Sequence, residues 1–72
     1  MIRVRVRLNS GEIGLIPGTK RELLFLLQTG EQIEVRVGRP AGLATAPVWI
    51  RVPGSDVAEV LEEVNEAVSL LK

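Results

Sequence analysis

Apolar and basic side chains alternate along the first eight residues, where arginines separate Ile2, Val4, Val6 and Leu8. Strict alternation predicts a β-strand with one face in the core and the other in water. It also differs from a signal peptide, which needs an uninterrupted apolar stretch. The longest apolar run, residues 23–27, is far shorter than the roughly 20 residues of a membrane span. We therefore expect a soluble, cytoplasmic protein without membrane contact.

Two short words in the sequence occur twice and in the same order. Ile-Arg-Val-Arg-Val at residues 2–6 returns as Ile-Glu-Val-Arg-Val at residues 33–37, and Ile-Pro-Gly-Thr at 16–19 is answered by Val-Pro-Gly-Ser at 52–55. Ordered recurrence of this kind indicates an internal repeat. We expect a single domain, 1–72, made of repeat units 1–30 and 31–72.

The first unit is predicted as two strands and a helix. A turn at residues 9–11 joins the first strand to a second at 12–16, and a Pro-Gly turn precedes Thr19. Thr19 and Glu22 have the spacing of a capping box, which predicts a helix over Lys20 to Thr29 with Gly30 as its C-cap. The alternative is a buried strand over residues 23–28, because short apolar runs are ambiguous.

The register of the second strand has two solutions. Alignment on the Pro-Gly words turns Gly14 and Ile16 toward the core, whereas alternation within the strand also allows Ile13 and Leu15 to point inward. The residues alone leave this choice open.

The second unit is predicted to repeat the plan. Its strands are 33–37 and 48–52, joined by residues 38–47, a loop of small residues and two prolines that is expected to order on a partner. Ser55 is expected to cap a final helix, because the following apolar residues have helical spacing. That stripe comprises Val57, Val60, Leu61, Val64, Val68 and Leu71. The predicted fold is α+β: ββαββα, a four-stranded, mostly antiparallel sheet with two helices on one face and an internal pseudo-two-fold axis.

Composition removes most enzyme classes. The chain has 72 residues, of which 46% are hydrophobic, and it contains no Cys, His or Tyr. Without these side chains the usual nucleophile and base pairs and zinc sites cannot be assembled. We expect no enzymatic activity, no cofactor and no metal. A domain this small, without disulfide or metal, must depend on its core or on self-association.

Charge is distributed unevenly although the net charge is zero. Residues 1–52 sum to +4 and residues 53–72 to −4, which predicts a dipolar molecule. The alternating strands would place arginines and one tryptophan on the outer face of the sheet, where guanidiniums could pair with phosphates and the indole could stack on bases. The candidate nucleic-acid face is Arg3, Arg5, Arg7, Arg36, Trp49 and Arg51.

A second set of residues indicates protein contact. The leucines of residues 23–27 are expected to face the core, which leaves Phe25 exposed, and large exposed aromatics are enriched at interfaces. Glutamates four apart on the final helix repel one another unless a basic surface covers them. The candidate protein interface is Phe25, Trp49, Glu59, Glu62, Glu63 and Glu66. The leading hypothesis is a non-enzymatic, self-associating interaction or assembly module; the alternative is a small nucleic-acid-binding protein.

Overall fold

The computed structural model describes residues 1–65, which form one five-stranded antiparallel sheet with one α-helix on one side. The elements in chain order are β1 (Ile2–Leu8), β2 (Ile13–Pro17), α1 (Lys20–Thr29), β3 (Gln32–Ala41), β4 (Ala44–Pro53), a 3₁₀ turn (Gly54–Asp56) and β5 (Val57–Asn65). In space the strands follow the order β4-β3-β2-β1-β5. We call the side that carries α1 the inner face and the opposite side the outer face.

The predicted helix is confirmed, together with both of its caps. The Thr19 hydroxyl accepts a hydrogen bond from the Glu22 N–H at 3.2 Å, and a Glu22 carboxylate oxygen accepts one from the Thr19 N–H at 2.8 Å. Gly30 ends the helix in the left-handed conformation, with φ of 74°. These caps satisfy backbone N–H and C=O groups that the ends of a helix leave unpaired. Residues 23–28 belong to this helix, so the strand alternative is wrong.

Within residues 1–65, no helix is long and apolar enough to cross a membrane.

The core lies between α1 and the inner face of the sheet. Leu23 is the one fully buried helix residue among those described, and Leu26 and Leu27 pack partly against the strands. Leu24 is instead 47% exposed, so its predicted place in the core is wrong. The buried apolar side chains within the described part are Val4, Val6, Leu8, Ile16, Leu23, Ile33, Val35, Val37 and Val52.

The register of β2 resolves in favour of the Pro-Gly alignment. Val4 pairs with Ile16 and Val6 with Gly14, so Ile16 and Gly14 face inward and Ile13 faces outward. A Cβ added to Gly14 would lie 2.3 Å from Cγ1 of Val35. The core therefore requires glycine at this point, where β2 meets β3.

The predicted final helix is wrong over the residues that the structure describes. Gly54–Asp56 is a 3₁₀ turn and Val57–Asn65 is the edge strand β5, antiparallel to β1. The remainder of the predicted stripe, Val68 and Leu71, lies outside the described residues. The ββαββα plan with four strands, two helices and a pseudo-two-fold axis is therefore replaced by five strands and one helix in residues 1–65.

Two bulges explain why β5 looks helical in sequence. β1 advances four residues from Leu8 to Val4 while β5 advances six, from Val57 to Glu63, with register shifts at both ends of this stretch. Each bulge puts one extra residue into β5. Positions 57, 60 and 63 therefore share the inner face at a spacing of three, which resembles one face of a helix.

The segment predicted as a loop, residues 38–47, is instead a projecting β-hairpin. β3 and β4 stay paired out to Ala41 and Ala44, and only Gly42 and Leu43 form the turn. β2 pairs with β3 at Gly14 and Leu15 alone, so the end of the hairpin extends past the rest of the sheet. We call residues 38–47 the arm.

The positions of the prolines in the ladder explain why the hairpin tolerates them. Counted from the Ala41 and Ala44 pair that closes the turn, the pairs that contain Pro40, Pro47 and Pro53 are the first, third and ninth along the ladder. In a two-residue hairpin the closing pair is hydrogen-bonded, and such pairs alternate with non-bonded ones. The three prolines thus remove no donor from the ladder, and they leave gaps along the outer edges of the hairpin.

Glu63 of β5 contributes to the start of α1. Its carboxylate accepts a hydrogen bond from the Lys20 N–H at 2.7 Å, so a strand distant in sequence satisfies one of the unpaired donors of the first turn and complements the helix dipole.

We expect Glu63→Ala to lower the free energy of unfolding by about 1 kcal/mol, the usual cost of losing a cap. Urea denaturation followed by circular dichroism measures it. The control is Glu62→Ala in the same strand, which loses only an exposed ion pair and should cost about half as much or less. Equal losses would contradict a capping role for Glu63.

Candidate interaction surface

The outer face of the sheet carries one continuous row of side chains across four strands. Trp49 of β4 lies opposite Arg36 of β3, Arg36 lies opposite Leu15 of β2, and Leu15 lies opposite Arg5 of β1. Because strand partners on one face lie close together, the alternation predicted for β1 and for both strands of the hairpin brings basic and apolar groups together. No described element covers this side.

A groove of about 490 Å³ occupies the middle of the outer face. Ile13 and Leu15 line it, and Gly38 deepens it because a glycine contributes no side chain. Ile13 is 49% exposed. We call this feature the central groove; its lining is Arg5, Ile13, Gly14, Leu15, Arg36, Val37, Gly38, Thr45 and Pro47.

Ion pairs flank the central groove on both sides. On the β1 and β5 side, Arg5 lies 3.3 Å from Glu62 and Arg7 lies 2.6 Å from Glu59. At the other edge, Arg51 lies 3.4 Å from Glu34. The acidic edge strand β5 thus lies directly beside the basic strand β1. The predicted dipole of the whole chain stays a prediction.

Trp49 is in contact with a cation from the far side of the groove. The Arg3 guanidinium carbon lies 5.8 Å from the centre of the indole ring, although β2 and β3 separate their strands. A cation over an exposed indole is worth about 0.5–1 kcal/mol. The indole is 49% exposed, and Arg3 already occupies part of the surface on which a base would stack.

The predicted residues divide between the two faces. All six members of the candidate nucleic-acid face share the outer face. The candidate protein interface does not stay together: Phe25 lies on α1, Trp49, Glu59 and Glu62 lie on the outer face, and Glu63 caps α1. Glu66 lies outside the described residues. Residues 1–65 contain no group of three or more side chains arranged to hold a metal ion.

Phe25 is 65% exposed on α1. It lines a depression of about 430 Å³ together with Arg21, Glu22 and Leu26. This depression lies on the other side of the molecule from the central groove, so the two aromatic candidates belong to different surfaces.

Sequence reasoning missed the apolar centre of the outer face. Ile13 was one of two alternatives for an inward position, and Pro47 was assigned to a loop. The signal was the Pro-Gly alignment, which turns Gly14 inward and therefore turns Ile13 and Leu15 outward. Leu43 was also missed; it stands fully exposed at the tip of the arm.

Comparison of the chain with known protein families, with curated proteins and with solved structures found no match.

Proposed function

We propose that this protein is a non-enzymatic interaction module that self-associates through the outer face of its sheet. The observation that carries the proposal is the apolar centre of that face: Ile13 and Trp49 are each about half exposed, and no element among residues 1–65 covers them. Large apolar groups in a groove, surrounded by polar groups, are the anatomy of a protein interface.

The charges around the central groove fit a second copy of the chain. In a two-fold dimer the same patch meets itself, so a patch of one sign would repel its copy. Here the rim carries both signs, because Glu34, Glu59 and Glu62 each pair with an arginine. The chain as a whole is neutral, which adds no long-range repulsion between copies.

The outer face of the sheet is also large enough for a protein interface. The Cα atoms span 36 × 28 × 16 Å, so the sheet presents its two largest dimensions outward. A standard interface buries about 800 Å² on each partner, about one sixth of the 4985 Å² that the described residues expose. Because one ten-residue helix covers only the inner face, a second sheet on the outer face would give the small core a second layer.

Nucleic acid is the weaker partner for the same face. Three of its arginines lie within 3.4 Å of carboxylates, and phosphate would have to displace those partners. The indole already contacts Arg3. A dedicated nucleic-acid binder is usually basic, whereas this chain has no net charge.

The test is sedimentation velocity from about 1 µM to about 1 mM, the range of weak to moderate affinities. We expect the wild type to shift from monomer to dimer. Ile13→Glu places a charge at the centre of the groove and should raise the dissociation constant at least tenfold, or about 1.4 kcal/mol. Ile13 is 49% exposed in the single copy, so the new carboxylate reaches water there and the variant stays folded.

Phe25→Glu is the matched control, because it changes an exposed apolar residue on the other side of the molecule. It should leave the dissociation constant unchanged. A wild type that stays monomeric throughout would refute self-association, and dimers sensitive to Phe25→Glu alone would move the interface to α1. Salt-sensitive binding of a labelled single-stranded oligonucleotide, lost in Arg36→Glu, would assign the outer face to nucleic acid instead.

A further inference from the structure

The arm projects beyond the rest of the sheet and offers a surface against which the sheet itself does not pack. Its two strands extend beyond β2, and most of its side chains are small or absent, as at Gly38, Ala41 and Ala44. At its tip Leu43 follows Gly42, whose φ is 65°. Only Gly42 needs the positive φ, which is the glycine position of a two-residue II′ turn, and the second turn position presents a leucine that is fully exposed.

The root of the arm is held in place. Arg39 and Glu12 meet through two parallel contacts, Nε to Oε2 at 3.2 Å and Nη2 to Oε1 at 3.3 Å. A forked arginine–carboxylate pair fixes direction as well as distance. The arm is therefore preorganised relative to the turn between β1 and β2, which lowers the entropic cost of using it in an interface.

The two prolines of the arm limit which part of its surface can contact a partner. Pro40 and Pro47 lack backbone N–H groups, and both face away from the partner strand of the hairpin. Prolines on an edge block the addition of a further strand. What the arm offers a partner is therefore its slim outer surface and the side chain at its tip.

The central groove lies at the root of the same arm. Gly38, Thr45 and Pro47 belong to the arm and also line the groove. Leu43 lies four residues beyond Pro47 along β4, and Gly38 is the partner of Pro47. At about 3.3 Å per residue, the tip is therefore about 13 Å from the root. A two-fold axis halfway along the arm would stack the outer faces of two arms in opposite directions, with each tip over the root of the other.

We infer that two copies of this chain exchange arms, so that Leu43 of each enters the central groove of the other against Ile13 and Leu15. This inference rests on the proposed self-association and specifies its geometry. The groove has room for a leucine side chain, and its apolar floor matches an arm that contains no carboxylate. The contact is made twice in the dimer, as two-fold symmetry requires.

Disulfide trapping tests this geometry directly, because the chain has no cysteine of its own. Leu43→Cys and Ile13→Cys are made as separate proteins, mixed above the dimer dissociation constant and oxidised. We expect the disulfide between residues 43 and 13 to exceed both homodisulfides. The protein that carries both substitutions should form a covalent dimer closed by two disulfides. A ladder of longer species would overturn two-fold exchange in favour of a head-to-tail chain.

A second readout separates this inference from the proposed function. Leu43→Ser should raise the dissociation constant at least about tenfold in sedimentation, with folding unchanged since the side chain is fully exposed. Leu24→Ser, which also removes an exposed leucine, should change it less than about twofold. If the wild type dimerises and Leu43→Ser dimerises equally well, with no excess of the 43-to-13 disulfide, arm exchange is refuted and self-association stands. A monomeric wild type would refute both.

Discussion

Leu23→Ala is expected to lower the free energy of unfolding by about 3 kcal/mol, within the usual range for a buried leucine. Leu23 is 2% exposed and is the helix residue that belongs fully to the core. Its loss leaves a cavity between α1 and the sheet that the short helix cannot easily close. Since a chain of this size has about 5 kcal/mol of stability or somewhat more, a large part of the total would be lost.

The neighbouring leucine provides the control. Leu24→Ala makes the same chemical change in the same helix, but Leu24 is 47% exposed, so we expect a loss below about 1 kcal/mol. Both substitutions alter helix propensity equally, and the difference between them therefore isolates burial. Urea denaturation of both variants measures it, and equal losses would contradict the packing of α1 described above.

Gly14→Ala is expected to destabilise the protein by about 2 kcal/mol, although glycine to alanine in a strand with ordinary backbone angles usually stabilises by about 0.4–1 kcal/mol. The reason is the 2.3 Å approach that a Cβ would make to Cγ1 of Val35. Val35 is completely buried, so its methyl group has little room to move.

A double-mutant cycle identifies the cause. Val35→Ala removes the obstructing methyl groups, and in that background Gly14→Ala should cost less than about 0.5 kcal/mol. Chemical denaturation of the four proteins gives the coupling energy. Additive effects would mean that Gly14 is required for some reason other than its contact with Val35.

The first half of the fold was predictable because its signals are local. The alternation of β1, the capping box of Thr19 and Glu22, and Gly30 each act within a few residues of where they stand. The hairpin of β3 and β4 was predicted only in part. Prolines in residues 38–47 indicated a loop, and sequence alone did not show that each one faces away from its partner strand.

The second half of the fold was predicted wrongly because β-bulges change the spacing at which the residues of a strand face the core. Val57 and Val60 follow helical spacing, yet β-branched residues are poor helix formers and the inner face of β5 is reached every third residue. The site was affected in turn: Glu59 and Glu62 were assigned to a helix, while the structure places them beside Arg7 and Arg5. Such cross-strand neighbours depend on long-range pairing that no local pattern encodes.

The most direct test of an outer face covered by a second copy is the fluorescence of Trp49 on dilution. It is the single tryptophan of the chain, it lies on the outer face and it is 49% exposed in one copy. Between about 1 µM and about 1 mM protein, we predict that its emission moves to shorter wavelength and that quenching by acrylamide weakens as the dimer forms. Emission and quenching that stay constant across this range would contradict the account.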